Sequence, residues 1–199
     1  WTSLTTAGDY SNENDDEYPL SFKLPNGKIY SMAATPGRSY VLDVTGASVV
    51  PGAALPRKLG SAAQYRPGKI LYTGGGVTKS SGAASLTGAS VIDFNSPTPA
   101  WRTVPSMQNA RYEHNLTLAA DGKVYAVGGA SVVSQETSNG TLSLEMFDPD
   151  SEAWSTMASM ANKRMYHSTS LLLPDGRILS AGTGRLGTNP NTLTAQLYS

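Results

Sequence analysis

The sequence contains no cysteine among its 199 residues and only two histidines. Disulfide bonds and thiol chemistry are therefore excluded within this chain, and two histidines give no basis for a Ser-His-Asp arrangement. Charged residues make up 15% of the chain, and 15 basic side chains balance 15 acidic ones. This low, balanced charge gives no support to binding of nucleic acid or of a membrane surface.

Two apolar patterns are also missing. No uninterrupted apolar run approaches the ~18 residues of a membrane-spanning helix, and no window shows the periodicity of an amphipathic helix. The chain is instead rich in glycine, proline and tyrosine, with 20, 12 and 10 residues of each. This composition is typical of a β-rich protein, and the length suffices for one domain with a core.

A hairpin pattern occurs four times along the chain. Each copy has a strand-like run, a tight turn that contains glycine, a basic residue and a second apolar run that ends in small residues. The copies are SFKLPNGKIYSMA (21–33), SAAQYRPGKILYTGGG (61–76), HNLTLAADGKVYAVGG (114–129) and HSTSLLLPDGRILSAG (167–182). Asn-Gly and Asp-Gly between such runs strongly favour a hairpin, because both turn residues need positive φ. The four turn glycines are spaced by 41, 54 and 54 residues.

A second strand pair follows the first three hairpins. ASVIDFNSPTPAWRTVP (89–105) and LSLEMFDPDSEAWSTMA (142–158) match each other, and SYVLDVTGASVVPGA (39–53) is a weaker copy. The closing strands carry Trp1, Val49, Trp101 and Trp154, spaced by 48, 52 and 53 residues. We expect these tryptophans to pack between neighbouring repeats.

A repeat of about 50 residues with four short strands is typical of a kelch-type β-propeller. We therefore predict an all-β fold, with about three and a half four-stranded blades in a single domain over 1–199. The predicted blade units are 1–4 (closing strand only), 18–52, 57–105, 109–157 and 162–199. Because propellers have about four to eight blades, we expect the chain to be a segment of a longer propeller.

The string RMYHSTSLLLPDGR (164–177) is more specific than the repeat. It resembles the copper-binding blade of the galactose oxidase and glyoxal oxidase family of copper radical oxidases, and LTAQLYS (193–199) is similar to the end of that family's propeller. The resemblance implies a secreted seven-bladed propeller with a C-terminal β-sandwich and a mononuclear copper site on its axis. It also implies oxidation of alcohols or aldehydes by O₂, with release of H₂O₂.

The resemblance also implies site residues. The family's axial tyrosine and equatorial histidine ligands of copper match Tyr166 and His167. The position of its radical tyrosine, counted from the turn and from Arg111, matches Glu113, with Tyr112 one place earlier. A second histidine ligand belongs to the family's C-terminal domain.

The family's radical tyrosine is crosslinked to a cysteine, whose place is taken here by Leu59 or Gly60. The crosslinked tyrosine–cysteine cofactor therefore cannot form from this chain. The resemblance thus implies a family member that retains half of the copper shell without the radical cofactor.

Two interpretations of these residues remain open. Phenolate, imidazole and carboxylate groups are suitable ligands of Cu(II), so Tyr166, His167, Glu113 and His114 could form a residual metal site. Alternatively, the Arg-x-x-His strings at 111–114 and 164–167 hold structural side chains that hydrogen-bond between blades. Adjacent residues of a strand point to opposite faces, so the Tyr-His pair can share a metal only at an irregular strand start.

Two functions follow from these interpretations. The first is an extracellular, non-catalytic module that binds carbohydrate or another partner through the loops 77–88 and 131–141. The second is a copper-dependent oxidase of alcohols or aldehydes in which Tyr166 and His167 are metal ligands. In both cases we expect further propeller blades and a β-sandwich as partners, and neither nucleic acid nor a membrane.

Overall fold

The computed structural model describes residues 19–33, 38–78, 80–133, 139–184 and 192–199. These residues form fifteen β-strands in four antiparallel sheets, and no α-helix occurs within them. The predicted all-β class is confirmed. No helix in the described part of the chain is long and apolar enough to cross a lipid bilayer.

Each sheet is a meander in which consecutive strands pair with each other. Blade I contains β1 (Leu20–Lys23), β2 (Ile29–Ala33), β3 (Arg38–Asp43) and β4 (Ser48–Pro51). Blade II contains β5 (Ser61–Arg66), β6 (Lys69–Thr73), β7 (Ala89–Asp93) and β8 (Arg102–Val104). Blade III contains β9 (Asn115–Leu118), β10 (Val124–Val127), β11 (Ser143–Asp148) and β12 (Ala153–Ser159). The described part of blade IV contains β13 (Thr169–Leu172), β14 (Ile178–Ala181) and β15 (Ala195–Tyr198).

The four predicted hairpin turns are confirmed between the first two strands of each blade. Their glycines have φ values of 83°, 74°, 82° and 86°, in a region that side chains rarely adopt. In three blades an Asn or Asp side chain before the glycine accepts the backbone N–H two residues on, as Asp121 does from Lys123 at 3.1 Å. The local sequence therefore sets these turns independently of the core.

The hydrophobic core lies between the sheets, in three clusters that each draw on two neighbouring blades. The cluster between blades I and II includes Tyr30 and Tyr72, and Trp101 packs against it. The cluster between blades II and III includes Phe147, and Trp154 packs against it. The third cluster joins blades III and IV. The predicted packing of tryptophan between blades is confirmed for these two residues.

Backbone hydrogen bonds also link neighbouring blades. The second glycine after β6, Gly75, donates its N–H to the carbonyl of Arg111 at 2.8 Å. Gly129 donates to the carbonyl of Arg164 at 2.7 Å in the same way. A Cβ on Gly74 would lie 2.5 Å from the Arg111 carbonyl oxygen, so this close approach requires glycine.

The extent of the whole domain remains a prediction. The unit 1–4, with Trp1, lies outside the described residues. The single domain over 1–199, its blade boundaries and the longer parent propeller therefore remain as the sequence predicts them.

Candidate functional site

The candidate site lies where the first strands of successive blades converge. Strand β9 contacts both β5 and β13, so these three first strands lie side by side. The segments that immediately precede them carry all the site residues that the sequence predicts. A side-chain bond reinforces the contact, because Asn115 Nδ2 donates to Ser168 Oγ at 3.1 Å.

Each of these three segments has the same backbone shape. In each segment one backbone carbonyl accepts a hydrogen bond from an N–H just after the second strand of the same blade. The N–H groups of Gly76, Ala130 and Gly184 donate to the carbonyls of Lys58, Tyr112 and Tyr166, respectively. The residues that follow them are Leu59, Glu113 and His167, with φ of 59°, 55° and 60°. A left-handed non-glycine residue costs about 1–2 kcal/mol. Strain of this kind is concentrated at functional sites.

Tyr166 and His167 occupy the two central positions of a tight turn. The N–H of Ser168 donates to the Met165 carbonyl at 2.8 Å, and a left-handed residue at the third position is typical of a type II turn. The two rings stack with centroids 3.8 Å apart, and the His167 side chain is exposed. The pair therefore precedes β13 at an irregular strand start, which is the condition for both rings to reach one metal ion.

Glu113 occupies in blade III the position that His167 occupies in blade IV. Its carboxyl is largely buried, and Oε2 has no hydrogen-bond partner. Burial raises the pKa of this carboxyl to about 7, against a smaller opposing effect of a hydrogen bond with Tyr112. A carboxyl of this kind holds or releases a proton near neutral pH.

His114 turns away from the other candidate ligands and towards blade II. Its Nε2 lies 2.8 Å from Thr73 Oγ1 at the end of β6, and its Nδ1 is buried without a partner. Burial, aided by the charge of Arg111, lowers the pKa of the ring to about 3. The hydrogen bond to Thr73 is of the inter-blade kind that the structural interpretation expects.

The arginine that opens each of these segments is structural. Arg111 is fully buried and donates to the carbonyl of Gly128 and to Glu145 inside its own blade, so the expected side-chain hydrogen bond between blades is wrong for this arginine. Arg57 and Arg164 make the equivalent bonds to the carbonyls of Gly74 and Gly182. Burial lowers the pKa of all three guanidinium groups.

The sequence did not predict the partners of these arginines. Ser90, Glu145 and Gln196 occupy equivalent positions on the third strands, and each hydrogen-bonds to the arginine of its blade. In the sequence these three residues share only their position within the repeat. Because that position holds three different residue types, the sequence alone does not identify it as the partner of the arginine.

The donor set suits copper only in part. Within the described residues, no three His, Asp or Glu side chains are close enough to hold a metal ion. The phenol of Tyr166 and the imidazole of His167 are nevertheless adjacent, and both are ligands that Cu(II) prefers. The pair therefore fits two positions of a copper shell, and the ligand roles of Tyr166, His167 and His114, like the catalytic roles of Glu113 and Tyr112, remain predictions.

The two loops expected to form a contact surface pair with each other. Ala84 forms an antiparallel bridge with Val132, and the N–H of Gly82 donates to the Val133 carbonyl at 2.8 Å. Residues 79 and 134–138 of these loops lie outside the described residues. The described parts form one surface that joins blades II and III.

The four-stranded sheets, the inter-blade clusters and the repeat define a kelch-type β-propeller. Residues 116–161 match the kelch motif family. The chain is 30% identical over 155 residues to galactose oxidase of Gibberella zeae, covering 74% of this chain and 23% of that protein. It is 27% identical over 193 residues to aldehyde oxidase GLOX of Vitis pseudoreticulata, covering 85% of this chain and 36% of that protein.

Solved structures agree with this assignment. A fungal alcohol oxidase of the AA5 family, solved in complex with copper, superposes with a TM-score of 0.77 at 26% identity, covering 92% of this chain and 40% of that one. The chain is therefore a kelch-repeat protein homologous to galactose oxidase and glyoxal oxidase. It spans about a quarter of galactose oxidase and about a third of GLOX.

Proposed function

We propose that this chain is part of a copper-dependent oxidase of alcohols or aldehydes, in which Tyr166 and His167 are copper ligands. The observation that carries the proposal is the stacked Tyr-His pair, held on a strained tight turn with the histidine exposed. Homology to oxidases, one of them solved with copper, supports it.

The residues of this chain would contribute binding and proton transfer. Copper, when bound, would supply one-electron redox chemistry, and O₂ would be the final acceptor of the two electrons and two protons that the alcohol or aldehyde hydrate loses, giving H₂O₂. Tyr166 would bind through its phenolate oxygen and His167 through a ring nitrogen, and the tight turn places the two rings next to each other before binding. Glu113, with a pKa of about 7, would accept a proton near the site. Glutamate cannot take the place of a radical tyrosine, and the chain has no cysteine to crosslink.

Copper titration of the full-length protein tests the ligand pair. Phenolate coordination to Cu(II) gives a visible charge-transfer band, and we expect Tyr166→Phe to remove this band and His167→Ala to weaken copper binding. The matched control is Tyr112→Phe, which changes the equivalent tyrosine of blade III. Copper binding that is unchanged in both site variants contradicts the proposal.

An H₂O₂-release assay tests the oxidase activity separately. Galactose, glycerol and glyoxal are offered to the copper-loaded protein. Turnover that is lost in Tyr166→Phe or His167→Ala supports the proposal. If the protein binds copper but oxidises no alcohol or aldehyde, the proposed metal site stands and the proposed oxidase activity is wrong.

A second candidate function is binding of carbohydrate or another extracellular partner. It is supported by the paired loops, since the bridge between Ala84 and Val132 creates one contact surface from two blades. Glycan-array binding, compared with a variant that carries Ala84→Pro, tests it. If binding is unchanged in this variant, the paired loops are not the contact surface.

Secretion belongs to the same proposal, and detection of the protein in the culture medium tests it.

A further inference from the structure

The sequence contains two acceptor patterns for N-linked glycosylation. They are Asn-Leu-Thr at 115–117 and Asn-Gly-Thr at 139–141. Each has an asparagine, a middle residue other than proline, and a threonine two places after the asparagine. A glycan is bulky and needs a surface position. Both asparagines are partly exposed, so the contacts of each pattern decide which of them the folded chain can accommodate.

The first pattern is held between two blades. Asn115 lies in β9, where it pairs with Val127 of β10, and its Nδ2 donates to Ser168 Oγ at 3.1 Å. Thr117 is buried, and its hydroxyl donates to Ser170 Oγ at 2.7 Å. A sugar on the Asn115 amide would have to separate β9 from the segment that leads into β13. The folded chain therefore has no room for a glycan at this pattern.

The second pattern lies at a depression on the surface of blade III. Asn139 and Thr141 both line this depression, whose volume is about 450 Å³. The other polar side chains that line it are Asn109, Ser131, Ser143 and Ser159. Amide and hydroxyl groups of this kind both donate and accept hydrogen bonds, so they suit the N-acetyl and hydroxyl groups of a first sugar.

Backbone contacts hold the second pattern in place. Ser131 donates its N–H to the Asn139 carbonyl at 3.0 Å, and Thr141 donates its N–H to the Gly129 carbonyl at 2.8 Å. A Cβ on Gly140 would lie 2.7 Å from Lys163 Cβ, so the close packing at the middle position requires glycine. Because these contacts use the backbone of the pattern, modification of the Asn139 side-chain amide breaks none of them.

The second pattern also lies close to the candidate site. Gly140 forms an antiparallel bridge with Ala130, and Ala130 forms one with Tyr112. One backbone segment therefore separates Asn139 from the segment that presents Glu113. A glycan on Asn139 would stand beside the candidate site on the same end of blade III.

We propose that Asn139, and not Asn115, is an N-glycosylation site, which rests on the proposed secretion of the protein. The Asn139 amide nitrogen attacks the anomeric carbon of an oligosaccharide that is linked to a polyprenyl diphosphate. A C–N bond forms as the C–O bond to the diphosphate breaks, the amide loses one proton, and the polyprenyl diphosphate leaves. Thr141 supplies the hydroxyl that the transferring enzyme requires two places after the asparagine.

Secretion of the full-length protein from a eukaryotic host, with a heterologous leader, tests the acceptor. Digestion with PNGase F in isotopically labelled water marks each asparagine that carried a glycan, and mass spectrometry locates the label. We expect the label at Asn139 alone, with a gel shift of one glycan. Thr141→Ala should abolish both signals, and Thr141→Ser, which keeps the hydroxyl, should retain them. The matched control is Thr117→Val, which destroys the first pattern and should change neither signal.

Two results would overturn the proposal. One is secreted protein without a glycan at Asn139, and the other is a glycan at Asn115 in protein that unfolds at the wild-type temperature. Expression with the natural N-terminal sequence tests secretion by itself. Absence of that protein from the medium rejects the proposed secretion, whereas an unmodified Asn139 behind the heterologous leader rejects the glycosylation site itself.

Discussion

Arg111 and Glu145 form an ion pair inside blade III, with 2.9 Å between Nη2 and Oε1 and both side chains almost completely buried. The carboxylate also accepts the backbone N–H groups of Gln108 and Asn109, at 2.5 and 3.1 Å. The arginine in turn reaches the carbonyls of Gly128 and Ser143. This network joins the segment before β9 to the end of β10 and to β11 of its own blade, and thereby holds the turn that presents Glu113.

Removing one partner of this ion pair should strongly destabilise the protein. We expect Glu145→Ala to lower the free energy of unfolding by about 3–5 kcal/mol, because a buried guanidinium loses its counter-charge. Urea denaturation measures the change. Asp150→Ala, which removes the exposed partner of Arg66, is the control and should have little effect. A small loss for Glu145→Ala would show that water replaces the carboxylate.

His114 should make the fold sensitive to acid. Its pKa in the folded protein is about 3, whereas the unfolded value is close to 6.5. The unfolded chain therefore takes up a proton first, so this stability is present above pH 6.5 and is lost as the pH falls towards 3. We expect a loss of about 2 kcal/mol between pH 6.5 and 4.5.

Comparison of two variants isolates this contribution. His114→Gln keeps a group that can hydrogen-bond to Thr73 but does not titrate, so its stability should fall less steeply over this pH range. Thr117→Val, which removes the hydrogen bond from Thr117 Oγ1 to Ser170 Oγ and leaves every titratable group in place, should retain the wild-type slope. Equal slopes for wild type and His114→Gln would mean that His114 is protonated in the folded state.

Whereas His114 lowers the stability of the folded protein as the pH falls, the carboxyl of Glu113 should lower it as the pH rises. Its pKa is raised to about 7 by burial, so the penalty for its charge grows as the pH rises from about 4.5 through 7. We expect Glu113→Gln to raise the free energy of unfolding at pH 8 by about 1–3 kcal/mol and to change it little at pH 4.5. Denaturation at the two pH values measures the difference.

A second left-handed glutamate provides the control for this prediction. Glu152, with φ of 54°, is paired with Arg102, which lowers the pKa of its carboxyl. Glu152→Gln should therefore lower stability at pH 8, opposite in sign to Glu113→Gln. A loss in both variants would show that the Glu113 carboxylate has a favourable partner in the folded protein.

Substitutions at two glycines distinguish the cost of an unfavourable backbone conformation from the cost of a steric clash. Gly74 and Gly122 both have positive φ, of 62° and 82°, but only Gly74 lacks space for a Cβ. We expect Gly122→Ala to cost about 1–2 kcal/mol through conformation alone. Gly74→Ala should cost clearly more, because its Cβ would collide with the Arg111 carbonyl and force blades II and III apart. Thermal unfolding ranks the two, and equal costs would contradict the close approach.

The sequence was sufficient to predict the elements that local rules control. Asn-Gly and Asp-Gly turns and the spacing of Trp101 and Trp154 depend on few neighbouring residues, and the structure confirms both. The pairing of the loops at Ala84 and Val132 depends instead on contacts between blades. No local pattern encodes such contacts.

The site was predicted less completely than the fold. The adjacency of Tyr166 and His167 is a property of the sequence, but the turn that stacks their rings is not. Arg164 lies three positions before His167, whereas Arg111 lies two positions before Glu113. The extra residue in blade IV belongs to the tight turn that the bond from Ser168 N–H to the Met165 carbonyl closes. Equal spacing of the Arg-x-x-His strings therefore concealed different structures, in which His114 enters the inter-blade space and His167 remains at the surface.

The left-handed position shared by Leu59, Glu113 and His167 has a consequence for how such a protein diversifies. Three chemically unrelated side chains occupy one backbone geometry, and none of the three belongs to the hydrophobic clusters that join the blades. Substitutions at this position can therefore exchange one chemistry for another while the scaffold stays intact. A lineage could gain or lose a metal ligand here in a single step, without first having to restabilise the fold.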